Sequence, residues 1–128
     1  MESSKHHWTV VADNWYAAEE LEKSLDAYGE AGKAASDGVI DLRRGFILVD
    51  LERWPSALES LNFALQKGGL DERKTGEAYL LRGMVQFNLG DYESASADWG
   101  RAGRYEKTRE AARQWMNQLR EERGRSAS

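Results

Sequence analysis

The residue types that could carry chemistry are few in this chain, and their spacing does not suit catalysis. The 128 residues include no cysteine, which excludes disulfides, thiolate catalysis and cysteine-based zinc sites. His6 and His7 are the only histidines, and they are adjacent, near one end and without further ligands at helical spacing, so we expect an exposed tail. Glu19, Glu20 and Glu22 form a run typical of a solvated face. The sequence therefore predicts no catalytic site, no metal site and no cofactor, and the protein is expected not to be an enzyme.

The elements that would position any site repeat along the chain. The segment from Gly38 to Gly69 and the segment from Gly76 to Lys107 carry the same residue types at a constant offset of 38 positions. A weaker copy lies 33 positions upstream of the first segment. Such periods are typical of solenoids, whose units bury their apolar faces only against their neighbours. The matched positions are Gly45 and Gly83, Leu51 and Leu89, Trp54 and Tyr92, Ala57 and Ala95, Leu61 and Trp99, and Ala64 and Ala102, with Ala12, Ser24, Tyr28 and Ala31 in the weaker copy.

The repeated residues resemble the tetratricopeptide repeat (TPR) superfamily, in which each unit is a pair of antiparallel helices. In the third unit, Tyr79 takes the opening aromatic position, Gly83 the small position at the helix crossing, and Leu89-Gly90-Asp91-Tyr92 the turn. Arg44 and Arg82 depart from the pattern, which expects leucine. The resemblance implies an all-α, TPR-like right-handed α-solenoid of three antiparallel helix pairs plus a capping helix. We expect one domain, with repeats at about 5–37, 38–75 and 76–107, a capping helix at about 108–123 and a frayed tail at 124–128.

The expected capping helix places its apolar residues on one face and charges elsewhere. A terminal helix of this kind covers the last repeat of a solenoid. An amphipathic membrane or partner helix is the less favoured alternative, because the polar face mixes both charge signs. The apolar stripe consists of Ala111, Ala112, Trp115, Met116 and Leu119.

The TPR resemblance also implies a binding groove, lined by the first helix of each unit. Its side chains are mostly apolar, which suits an apolar peptide or one face of an amphipathic helix. Only Arg43 and Asn88 could contribute to a carboxylate clamp, so such a clamp is not expected. The same apolar residues could instead be buried core, and both readings stay open. The expected partner contacts are Tyr16, Leu42, Arg43, Phe46, Val49, Leu80, Met84 and Phe87, with Thr9, Asp13 and Asn88 also on the groove face.

Self-association is the alternative function. Trp8, Val11 and Trp15 lie at the start of the array, where no earlier repeat precedes them in this sequence. Exposed apolar faces of this size usually mark an interface. The chain would then be a homodimer or part of a longer repeat array.

Charge and hydropathy further limit the classes of partner that the sequence favours. Up to residue 100 there are 10 basic and 18 acidic residues, and after it 8 basic and 4 acidic. Because acidic residues dilute the basic segment, we do not expect nucleic-acid binding. No apolar stretch approaches the roughly 20 residues that span a bilayer, and no signal peptide is visible, so direct membrane insertion is not expected.

A narrower resemblance is to the C-terminal module of bacterial TPR proteins encoded beside TonB-type systems. It is carried by the run from Asp41 to Leu70, the run from Gly76 to Ala95 and the late Ala111-Ala112-Arg113-Gln114-Trp115. If it holds, the module is periplasmic and binds a partner protein of an envelope complex. The residues themselves leave the compartment unknown, and without this resemblance we expect the cytoplasm.

Overall fold

The computed structural model describes the backbone of residues 2–17 and 20–127 and the side chains of residues 8–16 and 20–125. The side chains of His6, His7 and Glu19 lie outside the described residues. Within the described ranges the chain is helical and contains no strand, so the all-α prediction is confirmed. The helices are α1 (Glu2–Ala17), α2 (Leu21–Ala34), α3 (Val39–Asp50), α4 (Trp54–Lys67), α5 (Glu72–Asn88), α6 (Tyr92–Ala102) and α7 (Arg109–Ala127).

The helices fall into two compact units, Met1–Leu70 with α1 to α4 and Asp71–Ser128 with α5 to α7. The expected single domain therefore stays a prediction. Two expected boundaries differ from the structure. Residues 72–75 open α5 instead of closing the second repeat. α7 ends at Ala127 instead of at about residue 123, with Arg125 Nη1 paired to Glu122 Oε1 at 2.5 Å one turn earlier, and the expected fraying from residue 124 stays a prediction.

The first unit packs its helices through small residues that face large ones. α3 lies against both α2 and α4. At the crossing of α3 and α4, a Cβ added to Gly45 would lie 2.8 Å from Leu61 Cδ2, which is closer than side chains tolerate. Ala57 and Ala64 on α4 are fully buried, as their repeated small size predicts. The repeat pattern therefore marks the points of closest helix approach.

The second unit repeats this crossing with larger residues. Gly83 on α5 faces Trp99 on α6, where an added Cβ would lie 2.5 Å from the indole Nε1. Trp99 is almost completely buried, and its Nε1 donates to the Leu80 carbonyl at 3.1 Å. Its ring stacks on Trp115 of α7 with a centroid distance of 5.5 Å. α7 thus covers the α5/α6 pair with Trp115 and with the buried Ala112 and Leu119.

A polar contact also repeats between the two helices of a pair. Arg44 on α3 donates from Nη1 to Ser60 Oγ at 3.0 Å. At the same offset of 38, Arg82 on α5 donates to both carboxylate oxygens of Asp98, at 2.6 and 2.8 Å. These are the two arginines that stand where the TPR pattern expects leucine. Each is therefore matched by a buried polar side chain on the following helix.

The starts of α5 and α6 in the second unit are capped by carboxylates. Asp71 accepts from the Lys74 amide at 2.8 Å and Asp91 accepts from the Ser94 amide at 3.2 Å. These bonds lower the pKa of both carboxyl groups below the ordinary value, chiefly the backbone bond from Lys74 for Asp71 and the bonds from Ser94 for Asp91. The place of Asp91 in the turn predicts an N-cap, and the structure confirms it.

Candidate functional site

A surface pocket of about 350 Å³ lies in the first unit where α1, α2 and α3 meet. We call it the α1–α3 pocket and define it by its lining residues. Two of its aromatic side chains are strongly exposed, Tyr16 at 50% and Phe46 at 40%. Aromatic groups that remain exposed beside a cavity are the usual anchors of protein interfaces. The lining residues are Asp13, Tyr16, Tyr28, Arg43, Phe46 and Ile47.

A polar cluster forms one wall of this pocket. The Tyr28 hydroxyl of α2 donates to Asp13 Oδ1 of α1, and Arg43 Nη1 of α3 lies 3.5 Å from the same oxygen. Burial of Tyr28, together with its bond to the Asp13 carboxylate, raises the pKa of the phenol to about 12. Tyr28 therefore keeps its proton at neutral pH and acts as a fixed donor. The cluster joins the first helices of the first two repeats through a single carboxylate.

The structure brings together three of the predicted contact residues in the first unit, namely Tyr16, Arg43 and Phe46. The prediction that Leu42 contacts a partner is wrong, because its side chain is only 3% exposed and belongs to the core. The reason is that α3 is packed on two sides, by α2 and by α4. Only a narrow stripe of α3 with Arg43, Phe46 and Asp50 remains exposed, and Val49 beside it is half-buried.

The predicted contacts of the second unit are partly used in packing. Leu80 and Phe87 are half-buried against the core around Trp99, and the Phe87 ring lies 5.3 Å from Tyr92 and 6.0 Å from Trp99 by ring centroids. Met84 is also half-buried. Asn88 is exposed, but its Nδ2 donates to the Met84 carbonyl at 2.9 Å.

The residues proposed for self-association lie together in the first unit. Trp8, Val11 and Trp15 line a shallow depression of about 310 Å³ between α1 and α2. Trp8 and Val11 are half-buried, and the Lys23 ammonium lies 4.3 Å from the centre of the Trp15 ring. Part of this apolar surface is thus covered by the chain's own second helix, although Trp15 is still 36% exposed.

Sequence reasoning missed the role of Tyr28 in the pocket, since its repeat position indicated only packing. The sequence did contain a signal for this role: Asp13 was expected on the groove face, and Tyr28 on the next helix is a tyrosine, whose hydroxyl can donate to a carboxylate. Among the side chains described, no group of three or more His, Asp or Glu residues is placed to hold a metal ion. Within the described part of the chain, no helix combines the length and apolarity that crossing a membrane requires.

Comparison with known proteins places the fold among TPR domains. The Arabidopsis OM64 TPR domain is similar to this chain with a TM-score of 0.79 and 21% identity, covering 94% of this chain and 97% of that one. The MamA protein gives a TM-score of 0.85 and 20% identity over 97% of this chain and 66% of its own length. The first TPR of Spaghetti (RPAP3), bound to the HSP90 peptide SRMEEVD, gives a TM-score of 0.77 and 20% identity, covering 98% of this chain and 95% of that one.

These similarities confirm the predicted fold class, an all-helical, TPR-like repeat of the α-solenoid type. They support the resemblance to the TPR superfamily that the repeated residues carry. No protein-family model matches the chain, and no curated protein matches it. The narrower resemblance to a TonB-associated module is not confirmed by these comparisons.

Proposed function

We propose that this protein is a non-catalytic protein-interaction module that binds an apolar peptide or one face of an amphipathic helix and thereby scaffolds a larger complex. The observation that carries the proposal is the α1–α3 pocket, where Tyr16 and Phe46 expose aromatic surface beside a cavity of about 350 Å³. Apolar anchors of a helical peptide recur at every third or fourth residue, and this mode of recognition suits such a pocket.

The polar wall of the pocket supports orientation of the ligand. Arg43 and Asp13 are both about half exposed and lie 3.5 Å apart, and an exposed pair of this kind contributes little to stability. A ligand can therefore displace the pair at small cost and form its own hydrogen bond to Arg43. Tyr28 holds Asp13 in place while this happens. The aromatic side chains would supply affinity, and the Arg43/Asp13 pair would fix the direction in which the peptide lies.

A carboxylate clamp is not proposed for this chain. The RPAP3 domain is bound to an acidic peptide, SRMEEVD. Here Arg43 already faces Asp13, and the Asn88 amide is bonded to the Met84 carbonyl. A ligand can displace the exposed Arg43/Asp13 pair, but with the Asn88 amide bonded inside its own helix Arg43 has no second side chain of this pair to complete a clamp.

The remaining predicted contacts, Val49 in the first unit and three residues in the second, stay part of the proposal, each within its own unit. Val49, Leu80, Met84 and Phe87 are half-buried, and each leaves some apolar surface for a partner. If the narrower resemblance to TonB-associated modules holds, the partner is a periplasmic protein of an envelope complex. That part of the proposal rests on the sequence resemblance alone.

The test is a selection of peptides displayed on phage against the intact chain. Peptides that bind the wild-type chain are then tested for binding to the Phe46→Ser variant, which should bind them much more weakly. Phe63→Ser is the matched control, because Phe63 lies in the same unit, is exposed to a similar degree at 45% and does not line the α1–α3 pocket. We expect selected peptides with apolar residues at helical spacing that bind the control as tightly as wild type. Peptides that bind the Phe46 variant equally well would contradict the proposal.

Self-association through Trp8, Val11 and Trp15 is a second candidate, favoured by the depression that they line and by Trp15, which is 36% exposed. Such a surface would pack against a second copy or against further repeats. Sedimentation equilibrium over a wide concentration range tests it. We then expect a concentration-dependent dimer in wild type that Trp15→Ser weakens, whereas a strict monomer would contradict this candidate.

A further inference from the structure

A second surface groove, separate from the α1–α3 pocket, lies within the second unit between α6 and α7. It has a volume of about 320 Å³, and we call it the α6–α7 groove. Four arginines line it, with an apolar floor that includes Met116. Among the described residues that line this groove, none is acidic. The arginines are Arg104, Arg109, Arg113 and Arg120.

The helical period explains why three of these arginines share one side of α7. At about 100° per residue, Arg113 and Arg120 point within roughly 40° of Arg109. The three positions extend over about 16 Å along the axis, at about 1.5 Å per residue. The apolar stripe of α7 with Ala112 and Leu119 faces the core. The basic stripe therefore lies beside the core-facing stripe, at the edge where α7 meets α6.

Two of these guanidinium groups are held in place by hydrogen bonds within the chain. Arg109 Nε donates to the Gly103 carbonyl at 3.0 Å, and Arg120 Nη1 donates to Asn117 Oδ1 at 3.1 Å. Arg113 lies 3.7 Å from Glu110, and both side chains are about two-thirds exposed or more, so this pair is weak. Groups that are already positioned lose less conformational entropy when a ligand binds.

Gly100 keeps the groove open on the α6 side. A Cβ added to Gly100 would have no heavy atom within 4 Å, so the space next to this part of α6 is unfilled. Met116 at the floor is half-buried and offers a flexible apolar contact. The groove thus combines an apolar floor with a basic rim.

We propose that the α6–α7 groove binds an acidic segment of a partner protein, with carboxylates on the arginine rim and an apolar side chain against Met116. Guanidinium groups bind carboxylates through two parallel hydrogen bonds. A length of about 16 Å fits three turns of an acidic helix or about five residues of an extended segment. The chain as a whole has a formal charge of −4, which disfavours the approach of a long polyanion such as a nucleic acid.

The probe is a fluorescein-labelled peptide in which glutamate alternates with leucine, and its binding to the full chain is followed by fluorescence anisotropy. A second peptide with glutamine in place of glutamate is the ligand control. We expect the glutamate peptide to bind and the glutamine peptide to bind at least about tenfold more weakly, since each tenfold corresponds to about 1.4 kcal/mol. Equal binding of the two peptides would overturn the proposal.

Three variants locate the binding. Arg113→Glu should weaken the glutamate peptide about tenfold or more, because it replaces attraction by repulsion. Arg125→Glu changes the net charge equally at a site on α7 outside the groove, and it should leave binding unchanged. Gly100→Leu should fill the groove and reduce binding without loss of helicity by circular dichroism. An equal loss in Arg125→Glu, or unchanged binding in Gly100→Leu, would overturn the proposal.

Two further measurements distinguish a protein segment from a nucleic acid and this groove from the α1–α3 pocket. A single-stranded oligonucleotide is added as a competitor, and displacement of the peptide at a lower concentration than unlabelled peptide requires would overturn the assignment to a protein segment. Phe46→Ser should bind the glutamate peptide like wild type, since Phe46 belongs to the other unit. Failure of the proposed function at the α1–α3 pocket would therefore leave this result unaffected.

Discussion

Gly83 offers the sharpest test of how the repeats are packed. Replacement of Gly83 by alanine adds a Cβ that would lie 2.5 Å from Trp99 Nε1, 2.7 Å from Cδ1 and 2.9 Å from Cε2. The indole cannot retreat easily, because Trp115 stacks on it at 5.5 Å and Phe87 lies at 6.0 Å. One added methyl group should therefore displace a whole aromatic cluster.

The expected change in the free energy of unfolding of Gly83→Ala is the sum of three effects. Overpacking of a filled core costs about 1–3 kcal/mol. Displacement of Trp99 also weakens its hydrogen bond to the Leu80 carbonyl, which contributes about 1 kcal/mol. Alanine has a higher helix propensity than glycine, which stabilises the folded state by about 1 kcal/mol. We therefore expect Gly83→Ala to lower the free energy of unfolding by about 1–3 kcal/mol, and Gly83→Leu to unfold the second unit.

Gly100→Ala is the matched control. Gly100 lies in α6 of the same unit, and a Cβ there meets nothing within 4 Å. This variant should raise the free energy of unfolding by about 0.5–1 kcal/mol through helix propensity alone. Urea unfolding is followed by tryptophan fluorescence and far-ultraviolet circular dichroism. If Gly83→Ala is as stable as Gly100→Ala, the close approach of α5 and α6 is refuted.

Three further predictions concern polar groups. Arg82→Met should lower the free energy of unfolding by about 1.5–3 kcal/mol, because Asp98 is 1% exposed, loses its bidentate partner and keeps only the half-exposed Arg101. Arg82→Met combined with Asp98→Leu should restore most of this loss in urea unfolding. Ser24→Ala should cost about 1 kcal/mol in the same assay, since Ser24 Oγ donates to the buried Ala12 carbonyl at 3.0 Å; an unchanged midpoint would contradict this. Asp91→Ala should be less stable than wild type above pH 4, and this difference should vanish as pH falls below the folded-state pKa of Asp91. The bonds from Ser94 lower that pKa, so the contribution of Asp91 to stability is present above the unfolded-state pKa of about 3.9 and is lost as pH falls through the lower, folded-state value. A difference between Asp91→Ala and wild type that persists in acid would contradict the last prediction.

The repeat pattern predicted the helix pairs because it records steric requirements. A residue that must be small at every crossing, such as Gly45 or Gly83, recurs at a fixed offset whatever its neighbours are. The repeat pattern does not predict which individual groove residues are exposed. Leu42 and Phe46 lie on the same helix and both fit an apolar groove, but α2 and α4 cover Leu42 and leave Phe46 exposed. That difference depends on how helices from two repeats pack, which a single-repeat pattern does not contain.

The end of α7 shows a second limit of sequence reasoning. Gly124 and the polar residues after it indicated fraying, since glycine lowers helix propensity. The helix nevertheless reaches Ala127, with an ion pair between Glu122 and Arg125 in its last turns. Pairing of charges one turn apart contributes about 0.2–0.5 kcal/mol and offsets part of the roughly 1 kcal/mol that glycine costs a helix, and windows of propensity alone do not capture it.

The departures from the TPR pattern are the residues that distinguish this chain from a generic repeat. Arg44 and Arg82 have no rationale as single substitutions of leucine, but the structure pairs each with a residue 16 positions later, Ser60 or Asp98. Both arginines are half-buried, whereas Ser60 and Asp98 are buried, so the arginines supply the hydrogen bonds that these two buried polar side chains need. A leucine restored at position 82 alone would leave Asp98 with Arg101, which lies 2.7 Å away but is about half exposed. The repeats therefore keep the packing of an apolar solenoid, with an ion pair at this position in the second unit and a hydrogen bond from a guanidinium to a neutral hydroxyl in the first.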